Sequence, residues 1–223
     1  MMTSFMELYE NHRVSHPFMN EKSMMESLSA KHDYRGFCLL IHPDHGLLML
    51  QCSKPKPNKP SPHLQLPGGH IDNEDFDQFS TISNIKERIY MASKIGCARE
   101  VYEETGIELR QNLDRLLPIR LFSSSNKSKL SNRFQNEHKH RLFFLVLVSD
   151  SDFPSSNESL NSLIEDTTTN TRHLKLQLSS EHTGFTFEQD PQKAIGLLKY
   201  HSGGKVSQAL QMAFDCIKEP CEH

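Results

Sequence analysis

Short apolar runs, set apart by turn residues, fill the first half of the chain and predict β-strands. Residues 36–41 and 47–52 are mostly apolar, and a Pro-Asp-His-Gly turn sequence lies between them at 43–46. Two such runs around a turn predict a β-hairpin. A shorter strand is predicted at 64–66, just before a pair of glycines. The longest apolar run, 142–148, is too short to cross a bilayer and predicts a buried strand.

Helical periodicity occurs in the middle of the chain and again near its end. Apolar residues recur at helical spacing over about residues 83–105, and Gly106 is a typical residue to end that helix. The pair Asp190-Pro191 is typical of a helix start, which predicts a helix to about residue 200 and a last one over 205–217. Met91, Ile95, Ala98 and Tyr102 are expected on the core-facing side of the first helix. Further strands are predicted at 116–122, 174–178 and 184–187.

The segments between these elements are polar. Residues 54–62 carry four prolines and three lysines and predict an exposed, extended, basic loop. Residues 123–141 are polar and basic, and residues 149–172 predict a long flexible loop. We interpret residues 1–33 as an N-terminal extension and residues 34–223 as one α/β domain.

Composition narrows the class of protein. The formal net charge of −3 over 223 residues gives no general attraction to nucleic acid or to an anionic membrane. Five cysteines without a Cys-x-x-Cys pair fit a reduced compartment, so we expect a cytoplasmic location, with the nucleus as the alternative. The thirteen histidines show no Cys/His metal spacing, so a structural zinc site is not expected.

Three carboxylates at i, i+3 and i+4 are the most informative pattern in the chain. Glu100, Glu103 and Glu104 have the spacing that places side chains on one face of a helix. Like charges this close repel, and a divalent cation between them relieves the repulsion. Mg²⁺ takes oxygen ligands and usually joins protein carboxylates to substrate phosphates. The pattern therefore predicts phosphate chemistry through a metal.

These glutamates and the preceding glycine pair resemble the motif of the Nudix hydrolases. That motif is a glycine, an acid and then Arg-Glu-apolar-x-Glu-Glu-x-Gly-apolar, which residues 99–107 match in full, with Gly69 as the leading glycine. The resemblance implies an α/β/α sandwich with a mixed sheet, the motif helix on one side and the C-terminal helices on the other. It implies Mg²⁺, or Mn²⁺ in its place, held by Gly69, Glu100, Glu103 and Glu104. The resemblance also implies catalytic roles for Glu103 and Glu104, with Arg99 orienting Glu103.

The chain departs from the Nudix motif in two ways. Asp75 stands five residues beyond Gly69, where the family has Glu. Residues 76–98 separate it from Arg99, sixteen more than the family pattern has. The insertion either lengthens the helix or adds a loop before it, and it leaves the contact between Asp75 and the helix open.

A second segment, Leu-Ser-Ser-Glu-His at 178–182, resembles one found in Nudix enzymes that cleave dinucleoside polyphosphates. In those enzymes its Glu approaches the metal site. The resemblance implies that Glu181 is a fourth acid, as metal ligand or general base, and the alternative is an exposed loop residue.

Two basic segments are candidates for phosphate binding. Lys54 and Lys56 come just before the glycine pair, and Lys139 and Arg141 come just before the longest apolar run. Such cations hold phosphates as charge-assisted donors. Phe37, Phe143 and Phe185 could stack on a base, but core packing is the expected role for each.

The sequence therefore predicts Mg²⁺-dependent hydrolysis of a pyrophosphate bond in a small-molecule anhydride. Nucleoside diphosphate derivatives and dinucleoside polyphosphates are the first substrate class, and diphosphoinositol polyphosphates are the alternative. A binding or regulatory module that kept the fold without turnover is the competing class. No membrane or specific nucleic-acid partner is expected, and the sequence leaves the oligomeric state open.

Overall fold

The computed structural model describes residues 5, 6, 25, 28, 33–53, 63–125, 138–154, 163–165, 174–199, 201 and 205–218. Its strands are β1 Asp33–His42, β2 Gly46–Cys52, β3 Leu64–Gln65, β4 Gly68–His70, β5 Leu117–Ser125, β6 His138–Leu147, β7 Leu163–Glu165, β8 Lys175–Gln177 and β9 His182–Glu188. Its helices are α1 Asn73–Asp77, α2 Ile85–Thr105, α3 Pro191–Leu197 and α4 Lys205–Lys218. Two short 3₁₀ turns lie at Leu113–Arg115 and Asp150–Asp152.

The central sheet is mixed, as the sequence predicts. Its strand order is β3-β2-β1-β6-β5, with β4 also pairing with β1 and β9 with β2. Strands β1 and β6 run parallel, and the other pairs in this sheet are antiparallel. Strands β7 and β8 form a separate two-stranded sheet.

The two faces of the sheet carry separate cores. Alternate residues of β1 point to opposite faces, so Cys38 packs on the side of α2 and Leu39 on the side of α3 and α4. A sheet covered on both faces favours continuous apolar strands, which explains the uninterrupted apolar run in β6. The prediction of an α/β/α sandwich is confirmed. Cys38 and Cys97 bring their sulfur atoms to 3.2 Å in the core and remain thiols.

Helix α2 is long because the insertion adds turns to it. The Asn84 side chain accepts hydrogen bonds from the backbone N–H groups of Lys86 and Glu87, which fixes the helix start. Gly106 ends it in the left-handed region, with a φ of 77°. Residues 78–84 form a turn between α1 and α2. The insertion therefore both lengthens the helix and adds a loop.

Several sequence expectations need correction. Tyr102 is 38% exposed and lies under the Arg110 guanidinium, whereas Val101 is fully buried in its place. The predicted loop at 149–172 contains a 3₁₀ turn and strand β7. Lys139 and Arg141 belong to β6 rather than to a loop before it, because parallel pairing with the start of β1 extends that strand. The N-terminal extension stays a prediction, and of its described residues Leu28 and Phe5 are buried in the two cores.

Candidate active site

A cleft of about 480 Å³ opens where β1, β4 and β6 meet the C-terminal half of α2. One side, here called the acidic wall, consists of Glu100, Glu103, Glu104 and Glu181. The other side, here called the basic wall, consists of Arg35 and Arg141. Gly68, Gly69, His70 and His201 also line the cleft. The fold thus gathers carboxylates and cations in one cavity of a size that suits a small molecule.

Gly69 lets the acidic wall come close to the sheet. It pairs with Gly36 in the ladder of β4 and β1. A Cβ atom built on Gly69 would lie 2.2 Å from Oε2 of Glu100, so a larger residue would displace that carboxylate. The predicted pairing of the glycine turn with the glutamates is therefore a close contact between backbone and carboxylate.

Glu104 is the most buried acid of the cleft. Its Oε2 accepts the backbone N–H of Gly68 at 2.7 Å, and its Oε1 lies 3.6 Å from Nε2 of His182. Burial raises the pKa of Glu104 to about 8, and the nearby Glu100 and Glu181 charges add to the rise, against the lowering effect of the Gly68 hydrogen bond. Burial also raises the pKa of Glu100. Carboxylates held together against their own repulsion form a donor set that suits a hard divalent cation.

Arg99 binds the acids from behind rather than from within the cleft. Its Nη1 donates to Glu100 and Glu103 at 3.2 Å, and its Nη2 donates to the His70 carbonyl at 3.0 Å. Its Nε and Nη2 bind the two oxygens of Asp75 at 3.2 and 3.1 Å. Arg99 is not among the residues that line the cleft.

Asp75 reaches the motif helix despite the insertion. It is fully buried and accepts the backbone N–H of Asp72 at 2.9 Å, within the capping box that begins α1. From there its carboxylate holds Arg99. The sequence signal for this contact is that Asp75 stands five residues beyond Gly69, at the position where the motif has its acid. The insertion comes after Asp75 and leaves this spacing unchanged.

The segment at 178–182 places Glu181 in the cleft. The Ser179 hydroxyl contacts Nδ1 of His182 at 3.1 Å, and Nε2 of the same ring lies 2.6 Å from the Gln65 amide nitrogen. The backbone N–H of Ser53 donates to the Glu181 carbonyl at 2.8 Å. These contacts fix the loop, and Glu181, although exposed, lines the same cleft as the three glutamates of α2. Its role as a fourth acid stays a prediction.

The predicted phosphate-binding residues divide into three groups. Lys54 and Lys56 lie outside the described residues, and for Lys139 the described part does not include the side chain. Arg141 lines the cleft. Sequence reasoning missed Arg35. It is the pairing of Arg35 in β1 with Arg141 in β6 that brings the two arginines together. Phe37, Phe143 and Phe185 are all buried in the cores, as expected.

A histidine cluster lies at the opposite end of β1. His42, His45 and Asp150 offer ligand atoms within 4.8 Å of one another, and they are the one such trio among the described residues. His42 Nε2 lies 2.8 Å from the Asp150 carboxylate, and its Nδ1 accepts the backbone N–H of Asp44. Both ring nitrogens are therefore engaged in hydrogen bonds. The glutamates of the cleft are more widely spaced than this trio, so metal binding requires their side chains to converge.

Comparisons with known proteins concern the fold. No protein-family model matches the sequence, and no curated protein matches it. Among solved structures, the chain is similar to a MutT protein from Methanosarcina mazei Go1, with 17% identity and a TM-score of 0.46 over 86% of this chain and 100% of that one. It is also similar to an Ap4A hydrolase from C. elegans, with 15% identity and a TM-score of 0.43 over 82% of this chain and 98% of that one.

A third similar structure is a Nudix hydrolase from Nitrosomonas europaea, with 15% identity and a TM-score of 0.45 over 83% of this chain and 90% of that one. At these identities no function is carried over, and the case for one rests on the cleft itself. None of the described helices is long and apolar enough to cross a membrane.

Proposed function

We propose that the chain is a metal-dependent pyrophosphohydrolase of the Nudix type. The observation that carries the proposal is the convergence of the acidic wall, Gly69 and the basic wall on one cleft. Hydrolysis of a phosphoanhydride needs oxygen ligands for a cation and positive charge for the phosphates. The cleft offers both within a single cavity.

The glutamates on α2 are the proposed metal ligands. Glu100, Glu103 and Glu104, with the Gly69 carbonyl, would hold Mg²⁺, or Mn²⁺ in its place. When bound, such a cation neutralises charge on the pyrophosphate oxygens and lowers the pKa of water. Arg99 holds Glu103 and Glu100 in position through its hydrogen bonds, while Asp75 holds Arg99.

The reaction is an in-line displacement at phosphorus. A water oxygen forms a bond to phosphorus, the bridging P–O bond breaks, and its electron pair leaves with the departing phosphate group. One carboxylate of the acidic wall accepts the proton from the water. Glu181 and Glu104 are the candidates for this base, because both line the cleft and neither is bound by Arg99 in the hydrogen bonds described above.

The substrate class that we propose is a small-molecule anhydride. Nucleoside diphosphate derivatives and dinucleoside polyphosphates are the first choice, and a diphosphoinositol polyphosphate is the second, favoured by the arginines in the cleft. We also propose a cytoplasmic location, with the nucleus as the alternative, because five cysteines without a Cys-x-x-Cys pair fit a reduced compartment.

A turnover assay tests the proposal. Purified protein with Mg²⁺ or Mn²⁺ should release phosphate products from at least one member of a panel of nucleoside diphosphate derivatives, dinucleoside polyphosphates and inositol pyrophosphates. Glu103→Gln should lower kcat at least about a hundredfold and keep the fold, because it removes a metal ligand on an exposed part of α2. Glu87→Gln, an exposed site at the start of the same helix, is the matched control and should be unaffected.

A regulatory module without turnover is the competing function. Binding of these compounds without product release, across the whole panel and with both metals, would favour the module. Full activity of Glu103→Gln would remove the proposed metal ligands from the reaction.

A further inference from the structure

The basic wall is built by strand register. Arg35 and Arg141 are direct partners in the parallel ladder of β1 and β6, so their side chains leave the same face of the sheet side by side. Both line the cleft. Like charges placed opposite each other on neighbouring strands destabilise a sheet. Arg35 Nη2 is hydrogen-bonded with Nε2 of His70, and Asp33 acts on Arg141. An anion bound between the two guanidinium groups would further lower their mutual repulsion.

The surroundings of the basic wall concentrate positive charge. Lys205, the first residue of α4, is close enough for Arg141 to act on it: burial lowers the pKa of Lys205, and the Arg141 charge lowers it further. Burial lowers the pKa of Arg141, and the Arg35 charge adds to this, while Asp33 opposes it. Asp33 is itself engaged with Nδ1 of His70 at 3.3 Å. The charge of Arg141 thus acts together with two other cations, Arg35 and Lys205, and with the carboxylate of Asp33.

The phenyl ring in the wall of the cleft is not available for stacking on a nucleobase. Among the described residues that line it, Phe37 is the one phenyl, phenol or indole ring. That ring is 3% exposed, stacks on Phe143 at 5.6 Å and meets the edge of His201 at 4.9 Å. Its face is therefore covered by protein. What Arg35 and Arg141 add to this part of the cleft is positive charge.

We propose that Arg35 and Arg141 form a subsite for phosphate groups beyond the pyrophosphate that is cleaved. The proposal rests on the function given above and deepens it. The substrate class is then an anhydride that carries at least one additional phosphate, on a linear chain or on a ring, rather than a nucleoside diphosphate sugar. Guanidinium groups bind phosphate oxygens in pairs of parallel hydrogen bonds, and two adjacent guanidiniums suit a polyanion.

Binding of inorganic tripolyphosphate tests the subsite directly. The measurement uses the Glu103→Gln protein with Mg²⁺, so that the probe is not consumed, and isothermal titration calorimetry. Arg35→Gln and Arg141→Gln should each raise the Kd about tenfold or more, because each removes charge-assisted hydrogen bonds. Arg110→Gln is the matched control, since Arg110 pairs with Glu108 on the surface, and its Kd should not change.

Kinetics test the substrate class. With Mg²⁺, kcat/KM is measured for ADP-ribose and for two polyphosphates, a dinucleoside tetraphosphate and a diphosphoinositol pentakisphosphate. The ratio of kcat/KM for a polyphosphate to that for ADP-ribose should fall about tenfold in Arg35→Gln and in Arg141→Gln. The two polyphosphates separate a linear chain from a ring as the source of the extra phosphates. Arg35→Lys and Arg141→Lys keep the charge and should restore part of the ratio, which a general loss of fold would not allow.

The outcomes separate the subsite from the proposed function. Equal losses for ADP-ribose and the polyphosphates, or an unchanged Kd for tripolyphosphate, would overturn the subsite while leaving the hydrolase intact. Arginine-dependent binding of tripolyphosphate by a protein that cleaves nothing in the panel would support the subsite and overturn the hydrolase.

Discussion

The acidic wall and the basic wall of the cleft are made in different ways. Three of the four acids come from two turns of one helix, so their proximity follows from helical spacing alone. The basic wall joins Arg35 and Arg141, which are far apart in the chain and meet only through the register of β1 and β6. The first wall is held by internal partners, chiefly Arg99. The second places like charges side by side, with His70 hydrogen-bonded to Arg35 and the Asp33 carboxylate acting on Arg141.

Loss of Asp75 is expected to have the largest effect on stability. Asp75→Ala leaves the partly buried Arg99 without its most buried partner, so the free energy of unfolding should fall by roughly 3 kcal/mol. Denaturant unfolding measures this change. Asp77→Ala, an exposed acid of the same short helix, is the control and should change stability little. A small effect of Asp75→Ala would mean that the contact between Asp75 and Arg99 does not hold the acidic wall in place.

Metal addition should stabilise the protein through the acidic wall alone. A ligand that binds the folded state at a concentration of 100 Kd adds about 2.7 kcal/mol of stability. Mg²⁺ should therefore raise the Tm of the wild type and of Arg35→Gln, but much less that of Glu100→Gln. An equal rise of Tm in all three proteins would indicate metal binding elsewhere, with the cluster of His42, His45 and Asp150 as the first place to examine.

Gly69→Ala should separate function from stability. The new Cβ would displace the Glu100 carboxylate, the mobile end of a flexible side chain, so the fold should tolerate it. Metal affinity should fall about tenfold, which corresponds to about 1.4 kcal/mol. Calorimetric titration with Mg²⁺ and thermal melting measure the two effects. Gly196→Ala, in helix α3 with open space around it, should leave metal affinity unchanged.

Arg35→Gln should have the smallest effect on the ligand-free protein. Removing one of two neighbouring like charges should leave stability unchanged or raise it by up to about 1 kcal/mol. Urea unfolding without phosphate or metal provides the measurement. A loss of stability as large as that expected for Asp75→Ala would show that Arg35 is a structural residue, and the contrast between the two walls would disappear.

The contrast also explains how far the sequence could predict this molecule. Spacing along one helix predicted that the three glutamates share one helix face. Turn and apolar patterns predicted most of the strands and helices. The same spacing rule misplaced Tyr102, because the buried stripe of α2 runs through Val101 and Tyr102 packs under Arg110 at 3.9 Å. A rule based on local periodicity cannot show which flank of a helix a neighbouring loop will cover.

Contacts between distant segments were beyond prediction. The sequence identified Arg141 as basic but placed it before the predicted strand, since pairing with β1 and β5 extends β6 back to His138. Arg35 had no local signal at all. Asp75 was placed by its distance from Gly69, but its contact with Arg99 depends on how residues 76–98 fold, which no spacing rule specifies.

The hydrogen bonds between Asp75 and Arg99 also bear on how such a chain can change in length. Residues 76–98 connect Asp75 to Arg99, and the hydrogen bonds between these two side chains close the segment into a loop. Residues added to the segment make this loop longer. The entropy of closing a loop rises only with the logarithm of its length, about 0.6 kcal/mol for each doubling. A change in the length of the spacer between Asp75 and Arg99 therefore has a small cost in stability. A search pattern that fixes the spacer would pass over this chain, whereas one that requires an acid able to reach the arginine would find it.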